Sequence, residues 1–152
     1  MITLFNSLVR SKLEFCCEIW SPSCIKDIAS IEQVQRSFTF CISKMGNFNY
    51  WERLKHLGIM SLQRRRERII LLHLWKIKNG LNRNSISIEF KYHQRSSAFR
   101  AILKPLPKIK GKLLRQYDNS FIINSAKLWN SLPPALTCLN TLERFKLSLD
   151  RF

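Results

Sequence analysis

Aspartate is scarce in this 152-residue chain: Asp27, Asp118 and Asp150 are the only three, none is adjacent to another, and no DxD or DD pair occurs. A two-metal polymerase or nuclease needs several convergent carboxylates to hold ions about 3.5–4 Å apart. Ten acidic residues in the whole chain offer little to build that from, so no enzymatic activity and no catalytic residue are expected. Glycine is equally thin, at four residues, and neither GxxxxGK[ST] nor GxGxxG is present. That argues against phosphate cradles built from glycine loops. Histidines 56, 73 and 93 are scattered, and Cys16, Cys17 and Cys24 do not have the paired CxxC spacing of structural zinc sites. A zinc site from Cys16, Cys24, Cys41 and a histidine stays open as the lesser reading; small apolar packing is the reading preferred for Cys17 and Cys41. No metal, cofactor or small-molecule substrate is expected.

No stretch approaches the roughly 18 apolar residues that span a bilayer, so no membrane partner is expected. The N-terminus has no basic start followed by an apolar run, which argues against a secretory signal. Five cysteines, an odd number without such a signal, read as reduced thiols in an intracellular protein, nuclear or cytoplasmic and not secreted. Valine is nearly missing as well: two residues against 21 Leu, a balance that favours helix over a β-sandwich or barrel.

What the chain does have is an apolar third and a large excess of positive charge. Leu, Ile, Val and Phe together number 49, too many for a disordered polycation. A chain of this length buries roughly 68–70% of its unfolded surface, enough for one domain. Lys and Arg number 26, for a formal net charge of +16. Residues 1–50 are net +1, residues 51–116 net +14 and residues 117–152 net +1. A positive field concentrated this way attracts polyanions over long range.

Hydrophobic periodicity and capping signals divide the chain into helices. Phe5, Leu8, Val9, Leu13 and Cys16 form a stripe on a helix over 3–18, stopped by Ser21-Pro22-Ser23. Ile25, Ile28, Ile31, Gln35 and Phe38 align on a second helix over 24–42, with Lys26, Asp27, Glu32, Gln33 and Arg36 on its outer face. Asn49 and Glu52 make a capping box for a helix over 50–57 that ends at Gly58. Ser61 caps a helix over 62–78 that closes at Asn79-Gly80. Pro105 and Pro107 bar a helix within 82–116, where apolar residues are sparse; the segment reads as extended or loop-like, with a short hairpin as an option. Helices over 121–131 and 142–150 complete the chain. Trp20, Trp51, Trp75 and Trp129 are assigned to the core. The expected fold is mainly α, a small helical domain of about five to six helices.

These segments, in order, resemble a known family. SLVRSKLEFCCEIWSP (Ser7 to Pro22) looks like the stretch that follows the palm in reverse transcriptases of non-LTR (LINE) retrotransposons of the jockey type. IEQVQRSFTFCI (Ile31 to Ile42) is similar to the next block. YWERLKHLGIMSLQRRRERIILLHLWKIKNGL (Tyr50 to Leu81) resembles the one after it, with its ERLKxLG stretch and Arg-rich helix start. FIINSAKLWNSLPPAL (Phe121 to Leu136) resembles the terminal block, and LERFKLSLDRF (Leu142 to Phe152) fits the closing helix.

The resemblance implies the thumb and post-thumb region of such a polymerase, truncated: a thumb-like region over 1–81, a basic extended connector over 82–116, and a helical block over 117–152 packing on the first region. In the family the metal-binding aspartates lie in the palm, upstream of this stretch, so no catalytic residue carries over. A chain starting inside the thumb-like region suggests a truncated copy or a short reading frame from a decayed element. The expected function is non-catalytic binding of an RNA or DNA template–primer through phosphate contacts, with low sequence specificity. Arg64, Arg65, Arg68, Arg95, Arg100, Lys104, Lys108, Lys110, Lys112 and Arg115 are the candidate contacts, because phosphate recognition uses Lys and Arg. Arg64 to Arg68 lie around a helix start and cannot all face one way, so some must be solvated or paired with acids. Tyr92 and Tyr117 are candidates for stacking on unpaired bases; Phe99 serves equally as core. Two alternatives stand beside this reading. One is an interaction module, whose first two helices expose an apolar surface to itself or to the palm of a related polymerase. The other is a relic with no selected function.

Overall fold

The computed structural model describes residues 1–42, 45–81, 90–95, 98–103 and 121–152, and the fold is mainly helical. Three contiguous stretches, α1 (Ile2–Leu4), a π-helical turn (Phe5–Arg10) and α2 (Ser11–Glu14), run on as one helix. The expected continuation to residue 18 fails at Phe15, whose ψ of 123° leaves the helical region, and at Cys16, which is left-handed at φ 50°. A separate short helix, α3 (Cys17–Trp20), follows, and the Trp20 indole N–H bonds the Phe15 carbonyl at 2.6 Å across the break. Then come α4 (Ile25–Phe40), α5 (Tyr50–Leu57) and α6 (Leu62–Lys78).

The capping signals place these helices well. Asn49 accepts from the Glu52 N–H, and the Glu52 carboxylate accepts from the Asn49 N–H, each near 3 Å. Such a cap contributes about 1 kcal/mol. Gly58 ends α5 at φ 61°, where an L-residue would be strained. The Ser61 hydroxyl accepts from the Arg64 N–H at 3.2 Å and opens α6.

Beyond α6 the described backbone forms an antiparallel hairpin, β1 (Phe90–Arg95) with β2 (Ala98–Leu103), the option left open for this segment. The chain ends in α7 (Phe121–Asn130), the short α8 (Pro134–Thr137), which starts on a proline, and α9 (Leu142–Arg151). β2 runs alongside α7 and α8.

The chain divides into two compact units, Met1–Glu67 and Arg68–Phe152, with the boundary inside α6. The second unit has an apolar core, but Ile69, Leu72 and Ile77, the line that helical spacing picks out on α6, are only half-buried, and the residues beside them go inside. Ile70, Leu71, Leu74 and Trp75 of α6 pack with Ala126, Trp129, Leu132, Leu136, Phe145 and Leu149. The Phe145 ring lies 6.0 Å from both Trp75 and Trp129, and the Trp75 N–H donates to the Leu139 carbonyl at 2.8 Å.

The first unit departs from expectation. The buried line of α4 is Glu32, Gln35 and Thr39, while Ile25 is 82% exposed. Glu32, placed on the outer face by the sequence pattern, is inside because it does a job there. Its two carboxylate oxygens accept the Leu62 and Gln63 N–H groups at 3.1 Å each, so a side chain of α4 satisfies the start of α6. The Tyr50 hydroxyl donates to the same carboxylate. Gln35 donates to Tyr50 and to the Met60 carbonyl, and Arg53 donates to Thr39 and the Phe48 carbonyl. Three other assignments are corrected here: Trp20, Trp51 and Cys41 are exposed rather than packed, although Cys17 is fully buried.

Candidate nucleic-acid interface

The residues expected to contact phosphate meet three fates. Arg65 and Arg68 are each engaged with a carboxylate. The Arg65 guanidinium bonds Glu14 through Nε and Nη2, and Arg10 lies 3.8 Å from the same carboxylate. Arg68 bonds Asp150 in the same two-pronged way, at 2.5 and 2.9 Å, and the pairing raises its pKa. Arg64 is half-buried beside Ser61. Between Arg65 and Arg68, Arg66 points inward and is only 1% exposed; burial lowers its pKa, with Glu32 opposing. Among the described residues its Nε and Nη1 have no hydrogen-bond partner. The arginines of α6 do not all face one way: Arg65 meets Glu14, Arg66 points inside and Arg68 meets Asp150.

Arg95, Arg100 and Tyr92 fall in the hairpin. Its register sets His93 opposite Arg100, Arg95 opposite Ala98 and Tyr92 opposite Ala101. Cross-strand partners share a face and neighbours alternate, so positions 91, 93, 95 and 100 occupy one face and positions 90, 92 and 99 the other. The aromatic positions therefore do not alternate with the basic ones on a single surface. Lys104, Lys108, Lys110, Lys112, Arg115 and Tyr117 lie outside the described residues.

One cationic and aromatic cluster was not anticipated. Arg36, on α4, sits over the Tyr50 ring at 4.3 Å and within 6.0 Å of the Trp51 ring. The Tyr50 and Trp51 rings are tilted against each other at 5.1 Å. Arg53 approaches the Phe40 ring at 5.7 Å and Tyr50 at 5.9 Å. Trp51 and Phe40 are 62% and 61% exposed. The signal was present in the spacing: Tyr50 and Leu54 form the buried line of α5, so Trp51 and Lys55, one position further round, share a different face.

The first unit also carries an open, wholly apolar groove of about 230 Å³, lined by Met1, Leu4, Phe5, Leu8, Val9 and Phe38. Phe5 stacks on Phe38 at 4.0 Å. Among the described residues no three His, Cys, Asp or Glu side chains converge as a metal site, and no helix is long and apolar enough to cross a membrane. No protein family, no curated protein and no solved structure matches this chain.

Proposed function

We propose that the chain binds RNA or DNA through its phosphate backbone, with low sequence specificity and without catalysis, as the thumb-like part of a non-LTR retrotransposon reverse transcriptase would. The observation that carries this is the concentration of charge: net +14 within residues 51–116 against +1 on either side. The ion pairs of α6 move the weight of the proposal toward 82–116, which holds nine basic residues and one acid. In the hairpin, Arg95 and Arg100 occupy one face by register. If about six phosphates are contacted, the log–log salt slope for single-stranded binding is roughly −4 to −5. Fluorescence anisotropy with a labelled oligonucleotide between 50 and 300 mM salt measures it; affinity that does not change with salt refutes the proposal.

The apolar groove favours a second reading, association with another copy of this chain. Residues 1–50 are almost neutral, so two copies of a +16 molecule meet there with least repulsion. Light scattering at rising concentration tests it, with Leu8→Asp expected to hold the chain monomeric.

A further inference from the structure

Exposed aromatic rings are ordinary on protein surfaces, and most need no explanation. Trp51 differs in how it is backed. Its ring is tilted against that of Tyr50 at 5.1 Å, and the guanidinium of Arg36 lies over Tyr50 at 4.3 Å and 6.0 Å from the Trp51 ring. Tyr50 is itself anchored by the hydrogen bond to Glu32 and by Gln35. The exposed ring is thus mounted on the hydrogen-bonded group of Tyr50, Glu32 and Gln35.

The charge around it differs from that around the arginines of α6. Among the described residues Arg36 makes no ion pair, whereas Arg65 and Arg68 each have a carboxylate. A guanidinium that lies over a ring uses its face, and its N–H donors lie in its plane, at the edge, where a phosphate oxygen can accept them. Lys55, one helical turn from Trp51 on the same face of α5, is exposed and adds a second cation. The nearest acid in sequence, Glu52, is engaged with the Asn49 N–H in the capping box.

We propose that Trp51, backed by Tyr50 and flanked by Arg36 and Lys55, is a stacking site for an unpaired base of single-stranded nucleic acid, with the two cations holding the adjoining phosphates. This rests on the nucleic-acid reading above and adds a preference to it: single strands over duplex. A base in a duplex is stacked on its neighbours and has no free face to offer an indole, while every unpaired base has one.

The test compares Trp51→Ala, Trp51→Phe and the control Trp20→Ala in the full chain, with folding checked by circular dichroism. The probes are oligo(dT) and a duplex of equal length. Stacking on one aromatic ring is worth about 1–3 kcal/mol, so Trp51→Ala should weaken oligo(dT) binding by roughly 5- to 150-fold. Trp51→Phe should recover most of that loss, Trp20→Ala should change nothing, and duplex affinity should be equal in all four proteins. The salt slope of Trp51→Ala should match wild type, because the lost contact carries no charge. Unchanged oligo(dT) affinity in Trp51→Ala, or equal losses on single strand and duplex, overturns the stacking site and leaves salt-dependent binding standing. A wild-type chain that binds neither probe overturns both.

Discussion

The two units of this chain hold themselves together by different means. In Arg68–Phe152 the buried side chains are mostly Leu, Ile, Trp and Phe, and two indoles meet one phenyl ring at the centre. In Met1–Glu67 the buried set includes Glu32, Gln35, Thr39, Arg53 and Arg66, while Leu4, Leu8, Phe15, Ile19 and Ile25 face outward. An apolar core gains stability from area removed from water and tolerates modest repacking. A polar core is sensitive to the loss of a partner it has, since a buried donor left unpaired costs about 1–3 kcal/mol. The second unit should therefore accept volume-conserving apolar swaps that have no counterpart among the hydrogen-bonded groups of the first.

Paired substitutions give the sharpest contrast. Trp129→Ala empties the centre of the second unit and should cost about 3–5 kcal/mol. Glu32→Ala strands the Leu62 and Gln63 N–H groups and the Tyr50 hydroxyl, for roughly 3 kcal/mol or more. The cysteines locate each effect. Cys17 is fully buried in the first unit and Cys138 half-buried in the second. Thiol labelling resolved by mass spectrometry should show Cys17 opening in Glu32→Ala and Cys138 opening in Trp129→Ala. If both cysteines open together in both variants, the units are not independent in stability and the contrast fails.

Much of the fold could be read in the sequence, for reasons visible in particular residues. Boundaries of α5 and α6 followed from Asn49, Glu52, Gly58 and Ser61, whose local chemistry acts within a few residues. Helical spacing found Ala126, Trp129, Phe145 and Leu149 of the second core, but on α6 it ranked the half-buried Ile69, Leu72 and Ile77 ahead of Ile70, Leu71, Leu74 and Trp75, which are buried. Periodicity placed Gln35 on the buried line but put Glu32 outside, because it counts apolar side chains; both are inside on account of hydrogen bonds to residues 15 to 31 positions away. It assigned Trp51 to the core by type rather than by place on the helix. Of the candidate site, the charge concentration was legible. The carboxylates facing Arg65 and Arg68 were not, because Glu14 and Asp150 are 51 and 82 residues distant in the chain.

Alkaline pH should separate the units without any substitution. Burial pushes the Cys17 thiol from 9.0 up to about 11. The Tyr50 hydroxyl is also raised, first by burial and then by its bond to Glu32. In both cases the folded state holds its proton more tightly than the unfolded chain, so stability is complete below the ordinary pKa and falls as pH rises through it. Lys78, in the second unit, is lowered by burial, with its ammonium donating to the Thr137 carbonyl at 2.5 Å. There the folded state releases its proton more easily, so raising pH adds stability until the unfolded lysine has also titrated near 10.5. Between pH 9 and 10.5 the first unit should weaken while the second strengthens. Hydrogen exchange by mass spectrometry, corrected for intrinsic rates, should show protection falling in α4 and α5 and rising in α7 and α9; a parallel fall in both rejects the assignment.

The smallest effect concerns the ion pair Arg68–Asp150, and it tests whether the arginines of α6 are structural or held in reserve. Both side chains are partly exposed, at 26% and 35%, so the pair is screened and worth less than about 1 kcal/mol. Asp150→Asn keeps the shape of the side chain and removes its charge, and the melting temperature should fall only slightly. Its consequence for binding is the informative part. A polyanion would have to compete with the Asp150 carboxylate for the same two N–H groups, and the substitution removes the competitor. If a phosphate takes the vacated place, the salt slope on single strands steepens by about 0.7. If the slope stays at the wild-type value while the stability loss appears, Arg68 belongs to the scaffold, and the phosphate contacts come from the nine basic residues of 82–116 and from Arg36 and Lys55 instead.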